Sequence, residues 1–221
     1  LMSGTTWTQI ECGDNTTNGI KSDGTLWGWG EWNAAGPNYY AARCGYSGST
    51  PIMDFVQIGV DTDWESVARS TGRGYAIKTD GTLWTLVNHS VGTAGDGSTG
   101  ATSTNYPVQI GTGTTWASVY SGKYGAIHAI QDDGTLWCWG RNNSGALGSG
   151  DLTESFTPRQ VGTDRNWATV AVGEDNTCGI RKDGTLWCWG AVERIGQAGP
   201  ITAPLNYSTM QVTTDPNSLR V

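Results

Sequence analysis

Charge is scarce in this 221-residue chain: Asp, Glu, Lys and Arg together make up 15% of it. The balance is acidic, at −7, so the sequence lacks the clustered Lys and Arg that a phosphate backbone requires, and nucleic-acid binding is not expected. No run of about 18 apolar residues occurs, so no membrane span is predicted. The opening stretch "LMSGTTW" has neither a basic n-region nor an apolar h-region, and no signal peptide is expected from it. The five cysteines (Cys12, Cys44, Cys138, Cys178, Cys188) include no CxxC pair, which argues against a zinc site. Only two histidines exist, and no GxSxG, HExxH, P-loop or dinucleotide glycine motif appears. Catalysis needs convergent titratable groups, and this inventory predicts neither an enzyme nor a cofactor.

Glycine and tryptophan are what the sequence does hold, at 33 and 12 residues. Their placement is periodic. "DGTLWGWG" (23–30), "DGTLWTLV" (80–87), "DGTLWCWG" (133–140) and "DGTLWCWG" (183–190) start 57, 53 and 50 residues apart. A second signature precedes three of them, in "QIGVDTDWESV" (57–67), "QIGTGTTWASV" (109–119) and "QVGTDRNWATV" (160–170), and "TTWTQI" (5–10) is a first copy without its Gln. Repeats of this length with strand-rich composition predict an all-β, β-propeller-type array. The units fall at roughly 1–56, 57–108, 109–159 and 160–210, with Gln211 starting a partial fifth over 211–221.

Asp-Gly supplies the residue that tolerates positive φ in a tight strand connection. A three-residue loop with a bulge then sets Ile20, Ile77, Ile130 and Ile180 opposite Leu26, Leu83, Leu136 and Leu186. One step out, Gly19, Ala76, Ala129 and Gly179 face Trp27, Trp84, Trp137 and Trp187. A small sheet of this kind cannot cover both faces alone. Trp7, Trp27, Trp64, Trp84, Trp116, Trp137, Trp167 and Trp187 are therefore expected to fill the space between neighbouring sheets rather than to form an aromatic ligand box.

The order Gln-Val-Gly, Trp-x-x-Val, glycine, Asp-Gly-Thr-Leu-Trp-Cys-Trp-Gly resembles the regulator-of-chromosome-condensation repeat, and "WCWGRNNSGALGSGDLTESFTPRQVG" (137–162) resembles its linker. The resemblance runs along the whole chain and is weakest in the second copy, where Leu86-Val87 replaces Trp-Gly. It implies a propeller of four-stranded blades, seven in most members, acting as an interaction platform. Members include an exchange factor for a small GTPase, a plant ultraviolet-B receptor and a secreted β-lactamase inhibitor, so the fold alone selects no function. Seven blades need about 350 residues at about fifty each. Four units therefore leave three arrangements open: a piece of a longer propeller, copies joined edge to edge, or a compact four-bladed ring.

The same hairpin register puts Cys178 opposite Cys188, where a cross-strand disulfide is feasible. Equivalent slots hold Asn18, Tyr75 and His128 (facing Cys138), so His128 reads as a structural residue rather than half of a Cys–His pair. His89 has no partner at recognisable spacing. A disulfide leans the chain toward an extracellular or virion setting, and a Cys12–Cys44 bridge is left open. Sequons at Asn15, Asn88, Asn142 and Asn206 matter only in a eukaryotic secretory host. Asp61-x-Asp63 and Asp132-Asp133 read as turn residues in preference to calcium ligands.

Surface is what remains for function. The 31–50 stretch, "EWNAAGPNYYAARCGYSGST", breaks the period and gathers Trp32, Tyr39, Tyr40, Arg43 and Tyr46, residue types common at binding hot spots. The 87–105 stretch is long, polar and glycine-rich, and reads as a solvated connection. The expected role is non-catalytic: a structural or interaction protein binding further copies of itself or a partner protein. The alternatives are recognition of a protein or glycan through residues 31–50, and exchange on a small GTPase.

Overall fold

The computed structural model describes residues 6–13, 16–30, 52–70, 73–86, 92–99, 107–191 and 210–211. Strands without any helix build four antiparallel four-stranded sheets from these residues. The first holds β1 (Trp7–Cys12), β2 (Thr16–Lys21), β3 (Leu26–Gly30) and β4 (Ile52–Gln57). The second holds β5 (Trp64–Ser70), β6 (Arg73–Lys78), β7 (Leu83–Thr85) and β8 (Val108–Gln109). The third comprises β9 (Trp116–Ser121), β10 (Ala126–Gln131), β11 (Leu136–Gly140) and β12 (Ser155–Gln160). The fourth comprises β13 (Trp167–Val172), β14 (Asn176–Arg181), β15 (Leu186–Gly190) and β16 (Met210–Gln211). Each sheet is a meander in sequence order.

The hairpin register is the one the Asp-Gly turn dictates. Ile20 pairs with Leu26, Ile77 with Leu83, Ile130 with Leu136 and Ile180 with Leu186, and the small-residue–Trp pairs follow one step out in all four sheets. Gly24, Gly81, Gly134 and Gly184 have φ between +75° and +83°, the left-handed region that a side chain disfavours. The turn aspartate holds the rest. Asp23 Oδ1 accepts from the Thr25 amide at 3.1 Å and from the Thr25 hydroxyl at 2.6 Å, and that hydroxyl oxygen accepts the Trp27 indole N–H at 2.7 Å. Asp80–Thr82–Trp84, Asp133–Thr135–Trp137 and Asp183–Thr185–Trp187 repeat the relay. The motif Asp-Gly-Thr-x-Trp thus fixes a turn and a ring orientation together. Hydrogen bonds from the Thr hydroxyl and then the Thr amide hold all four carboxyls below their usual pKa. Such bonds stabilise the fold above the unfolded carboxyl pKa and are lost as pH falls through the folded one.

The phase of the sheets differs from that of the sequence units. Gln57, Gln109, Gln160 and Gln211 do not open sheets. Each lies on an outermost strand, paired with Trp27, Trp84, Trp137 and Trp187 respectively. The next sheet opens at the Trp seven residues on, at Trp64, Trp116 and Trp167. Gln211, read from sequence as the start of a fifth unit, lies on the fourth strand of the fourth sheet, and residues 212–221 lie outside the described residues.

Sheets stack face to face in chain order. Ile20, Leu26 and Ile58 of the first pack on Trp64, Val67, Ala76 and Leu86 of the second. Ile77, Leu83 and Ile110 pack on Trp116, Val119, Ala129 and Trp139 of the third. Ile130, Leu136 and Val161 pack on Trp167, Val170 and Trp189 of the fourth. Every sheet therefore has a forward aliphatic face and a rear tryptophan face. The innermost strands touch in the order β1, β5, β9, β13, and the four sheets do not close into a ring. A compact four-bladed ring, one of the arrangements open from sequence, is not what forms.

Candidate interaction surfaces

Three junctions between sheets set the standard for what a covered face looks like. At each, the turn glycine's carbonyl accepts the amide of the next sheet's first tryptophan at 3.1 Å: Gly24 from Trp64, Gly81 from Trp116 and Gly134 from Trp167. The approach is so close that a Cβ on Gly24, Gly81 or Gly134 would lie 2.0, 2.3 or 2.2 Å from a backbone oxygen of the next sheet. At Gly184 a Cβ would meet nothing within 4 Å. Among the described residues no sheet lies against the forward face of the fourth, and its aliphatics show this. Ile180 and Leu186 are 43% and 40% exposed, whereas Ile130 and Leu136 are 4% and 0%.

The rear face of the first sheet is the counterpart. Ile10 is 52% exposed where Val67, Val119 and Val170 are all buried. Beside it Trp7 packs on Trp29 and Phe55, with ring centroids 5.6 and 5.5 Å apart, and Trp29 lies 4.4 Å from Phe55. Trp7 is only half-buried, in contrast to its counterparts Trp64, Trp116 and Trp167. Lys21 sits over the Trp27 ring at 3.3 Å, as Arg181 does over Trp187 at 3.7 Å, a cation–π contact on each rear face.

The position two residues before the recurring hairpin Ile reaches across the junction from β2, β6 and β10. Asn18 Oδ1 accepts from the Arg69 guanidinium of the second sheet, the Tyr75 ring lies 5.8 Å from Trp139 of the third, and the His128 ring lies 5.6 Å from Trp189 of the fourth, while within their own sheets the Tyr75 hydroxyl donates to the Thr93 carbonyl and His128 Nε2 lies 3.3 Å from the Leu147 carbonyl. On the fourth sheet this slot closes on itself through the Cys178–Cys188 disulfide. With the two cysteines ten positions apart in sequence, the bridge is expected to contribute about 2–3 kcal/mol. The Cys178→Ser/Cys188→Ser variant should melt earlier by that amount, with faster amide exchange confined to the fourth sheet. Cys12 is a free exposed thiol and Cys138 a buried one, whose pKa burial pushes up to about 12. Cys44 and His89 lie outside the described residues.

His128 is fully buried, and loss of water pushes its pKa down to about 4. The unfolded imidazole titrates near 6.5, so between those values the unfolded chain binds a proton that the folded chain refuses. Stability should fall as pH drops through this window, by up to roughly 3 kcal/mol. His128→Gln is expected to flatten the change; urea midpoints at neutral pH and at pH about 4.5 check it.

Two readings of loops change. Asn142, a sequon residue, is completely buried. Its amide donates to Ser149 Oγ, Asp151 O and Thr153 O, and its carbonyl oxygen accepts from the Leu147 amide, so it is no glycan acceptor in the fold. The 87–105 stretch is not simply solvated either, because residues 92–95 are buried and Gly95 packs against the Trp139 indole. Trp32, Tyr39, Tyr40, Arg43 and Tyr46 lie outside the described residues, as do Asn15, Asn88 and Asn206.

Chemistry converges nowhere among the described residues. The inner strands line a cavity of about 340 Å³, with Gln9, Glu11, Arg69, Ser118, Tyr120 and Val172 in its wall. Arg69 there is already engaged with Asn18 and Thr16. A second cleft of about 260 Å³ mixes Arg141 with Glu174 and Asp175, the latter accepting from Ser144 at 3.1 Å. Asp61 and Asp63 flank the Lys78 ammonium at 2.9 and 3.1 Å, and Asp133 pairs with Arg165 at 2.6 Å. No group of three or more metal-ligating side chains occurs among the described residues. Among them, too, no helix is long and apolar enough to cross a membrane.

Residues 133–180 match the family model of the regulator of chromosome condensation (RCC1) repeat. No curated protein matches the chain by sequence. Among solved structures, human WBSCR16 is 18% identical with a TM-score of 0.76, over 97% of this chain and 55% of that one. Yeast RCC1 (Prp20), solved with Kap60 bound to it, is 16% identical with a TM-score of 0.78, over 96% of this chain and 50% of that one. Prp20p from Saccharomyces cerevisiae, described with its binding properties to Gsp1p and histones, is 15% identical with a TM-score of 0.74, over 98% and 52%. The chain thus spans about half the length of these proteins, and at such identities the likeness is one of fold. The matched segment runs from the Asp133 turn through β14, so it takes half of the third sheet and half of the fourth. Residues 133–180 thus match the RCC1 repeat, and the described chain around them has the fold of an RCC1-type β-propeller whose sheets do not close.

Proposed function

We propose that this chain is a non-catalytic interaction module that binds protein, other copies of itself included, through the two outer sheet faces that no other sheet covers among the described residues. The observation that carries this reading is the pair of exposed faces. Ile180 and Leu186 at one end, and Ile10 with the Trp7, Trp29 and Phe55 rings at the other, are side-chain types that the internal junctions bury. Exposed apolar area of this kind, rich in Trp, marks association surfaces. The Cys178–Cys188 bridge supports an oxidising setting, extracellular or on a virion. Light scattering across the micromolar range tests the reading. Association with itself or a protein partner should weaken in an Ile180→Asp/Leu186→Asp variant of unchanged circular dichroism. A chain that stays monomeric and takes no partner overturns it.

A second reading, exchange on a small GTPase, draws on the fold likeness to yeast RCC1 (Prp20) alone. Catalysed nucleotide release from a small GTPase would support it, and release at the intrinsic rate would remove it. Recognition of a protein or glycan through Trp32, Tyr39, Tyr40, Arg43 and Tyr46 rests on composition and is tested by their joint replacement with alanine.

A further inference from the structure

We infer that the cavity between the inner strands is a binding site for a primary carboxamide, the glutamine side chain of an extended protein segment, at the peptide groups of Val119 and Val170. The site lies at the second and third junctions between sheets. It uses neither outer sheet face, so it goes beyond the reading above.

The first junction shows how such a site is filled. Each inner strand is the edge of its sheet, and the register of β5 on β6 turns both the N–H and the C=O of Val67 away from β6. Gln9 of the first sheet answers both groups. Its Oε1 accepts the Val67 amide at 2.9 Å, and its Nε2 donates to the Val67 carbonyl at 2.9 Å. Val119 on β9 and Val170 on β13 stand opposite Ala129 and Gly179 as Val67 stands opposite Ala76, so their peptide groups point the same way. The place of Gln9, opposite the hairpin Ile of the preceding sheet, is held by Ser66 at the second junction and Ser118 at the third. Serine is too short to make the bridge. Among the described residues no side chain bonds either valine's peptide group, and Ser66 Oγ is buried without a partner. Both serines and both valines lie in the wall of the cavity of about 340 Å³.

The order of donor and acceptor selects the ligand. A peptide N–H and C=O on one residue are met together by a group that accepts with one atom and donates with another, as the Gln9 amide does. A carboxylate only accepts, so it would set an anion against the valine carbonyl, in a wall that also holds Glu11. Two equivalent peptide groups in one cavity suit a segment carrying more than one glutamine, because the second bond then forms within a complex already made.

The test follows backbone amide resonances of the 221-residue chain during titration with three probes. These are the capped peptide acetyl-Gly-Gln-Gly-Gln-Gly-methylamide, its counterpart with Glu for both Gln, and propionamide. The glutamine peptide should shift the Val119 and Val170 amides and leave Val67, already held by Gln9, in place. It should bind about tenfold or more tighter than the glutamate peptide. Gln9→Ala should add the Val67 amide to those that respond. Ser118→Gln supplies the third junction with its own carboxamide, so Val170 should fall silent while Val119 still responds and the circular dichroism is that of wild type. Ser66→Gln should do the reverse. No shift at Val119 or Val170, equal binding of the glutamate peptide, or a Val170 response untouched by Ser118→Gln overturns the site. Propionamide binding as tightly as the glutamine peptide overturns the protein segment as its occupant. The outer faces are intact in every variant, so the interaction-module reading stands or falls separately.

Discussion

Trp167→Ala is expected to cost about 3–5 kcal/mol of stability, whereas Trp7→Ala, at the same place in the repeat, should cost about 1–2 kcal/mol. Trp167 is 2% exposed, wedged against Ile130, Leu136 and Val161 of the sheet before it and edge-on to Trp187 and Trp189 at 6.4 and 5.8 Å. Removing it leaves a cavity in the third junction that rigid strands cannot refill. Trp7 also packs on the two hairpin tryptophans of its own sheet, Trp27 and Trp29, but among the described residues no sheet lies behind it. Urea unfolding followed by far-UV circular dichroism, at a concentration low enough to keep the chain monomeric, measures both. Because each sheet touches only those beside it, the Trp167 variant should also unfold in two steps, the fourth sheet leaving first. Equal costs for the two variants would mean that the junctions do not carry the stability.

Gly134→Ala should be nearly as damaging, at about 3–4 kcal/mol, and Gly184→Ala far less, at about 1–2 kcal/mol. Both glycines have φ near +80°, so both variants bear the same left-handed strain. Only Gly134 has a neighbour in the way, the Arg165 carbonyl 2.2 Å from the added carbon, and only its carbonyl receives the Trp167 amide. Subtracting one variant from the other isolates the steric part of a junction from its backbone part. The same measurement at Gly24 and Gly81 should repeat the Gly134 value, since their clashes are equivalent.

The hairpins were legible in the sequence because their information is local. An Asp-Gly turn fixes register within ten residues, and the Ile–Leu, small–Trp and Cys178–Cys188 pairings follow from counting outward. Sheet phase was not legible, because Gln57 lies between two motifs at similar distance and its pairing with Trp27 bridges thirty residues. The Thr of Asp-Gly-Thr carries its function in a hydroxyl that accepts one bond and donates another, which spacing alone does not disclose. The exposed faces were the least visible part. Ile180 and Ile130 are the same residue in the same motif, and what separates them is that, among the described residues, a sheet follows only Ile130. The polar stretch at 92–95 misled for a related reason: its glycines suit solvent, but here the Phe156 ring leaves no room for a side chain at Gly92 and the Trp139 indole none at Gly95.

The offset between repeat and sheet has a consequence for how such a chain can change in length. A crossover between matching points in two of the Asp-Gly turns would insert or remove half of one sheet and half of the next, the span that the 133–180 match also covers. The hybrid sheet is rebuilt at the seam from strands that already know each other's spacing, and a forward face still meets a rear face on either side. Growth by unequal recombination therefore needs no new contact surface, and the number of sheets is free to drift while the chemistry of every joint stays the same.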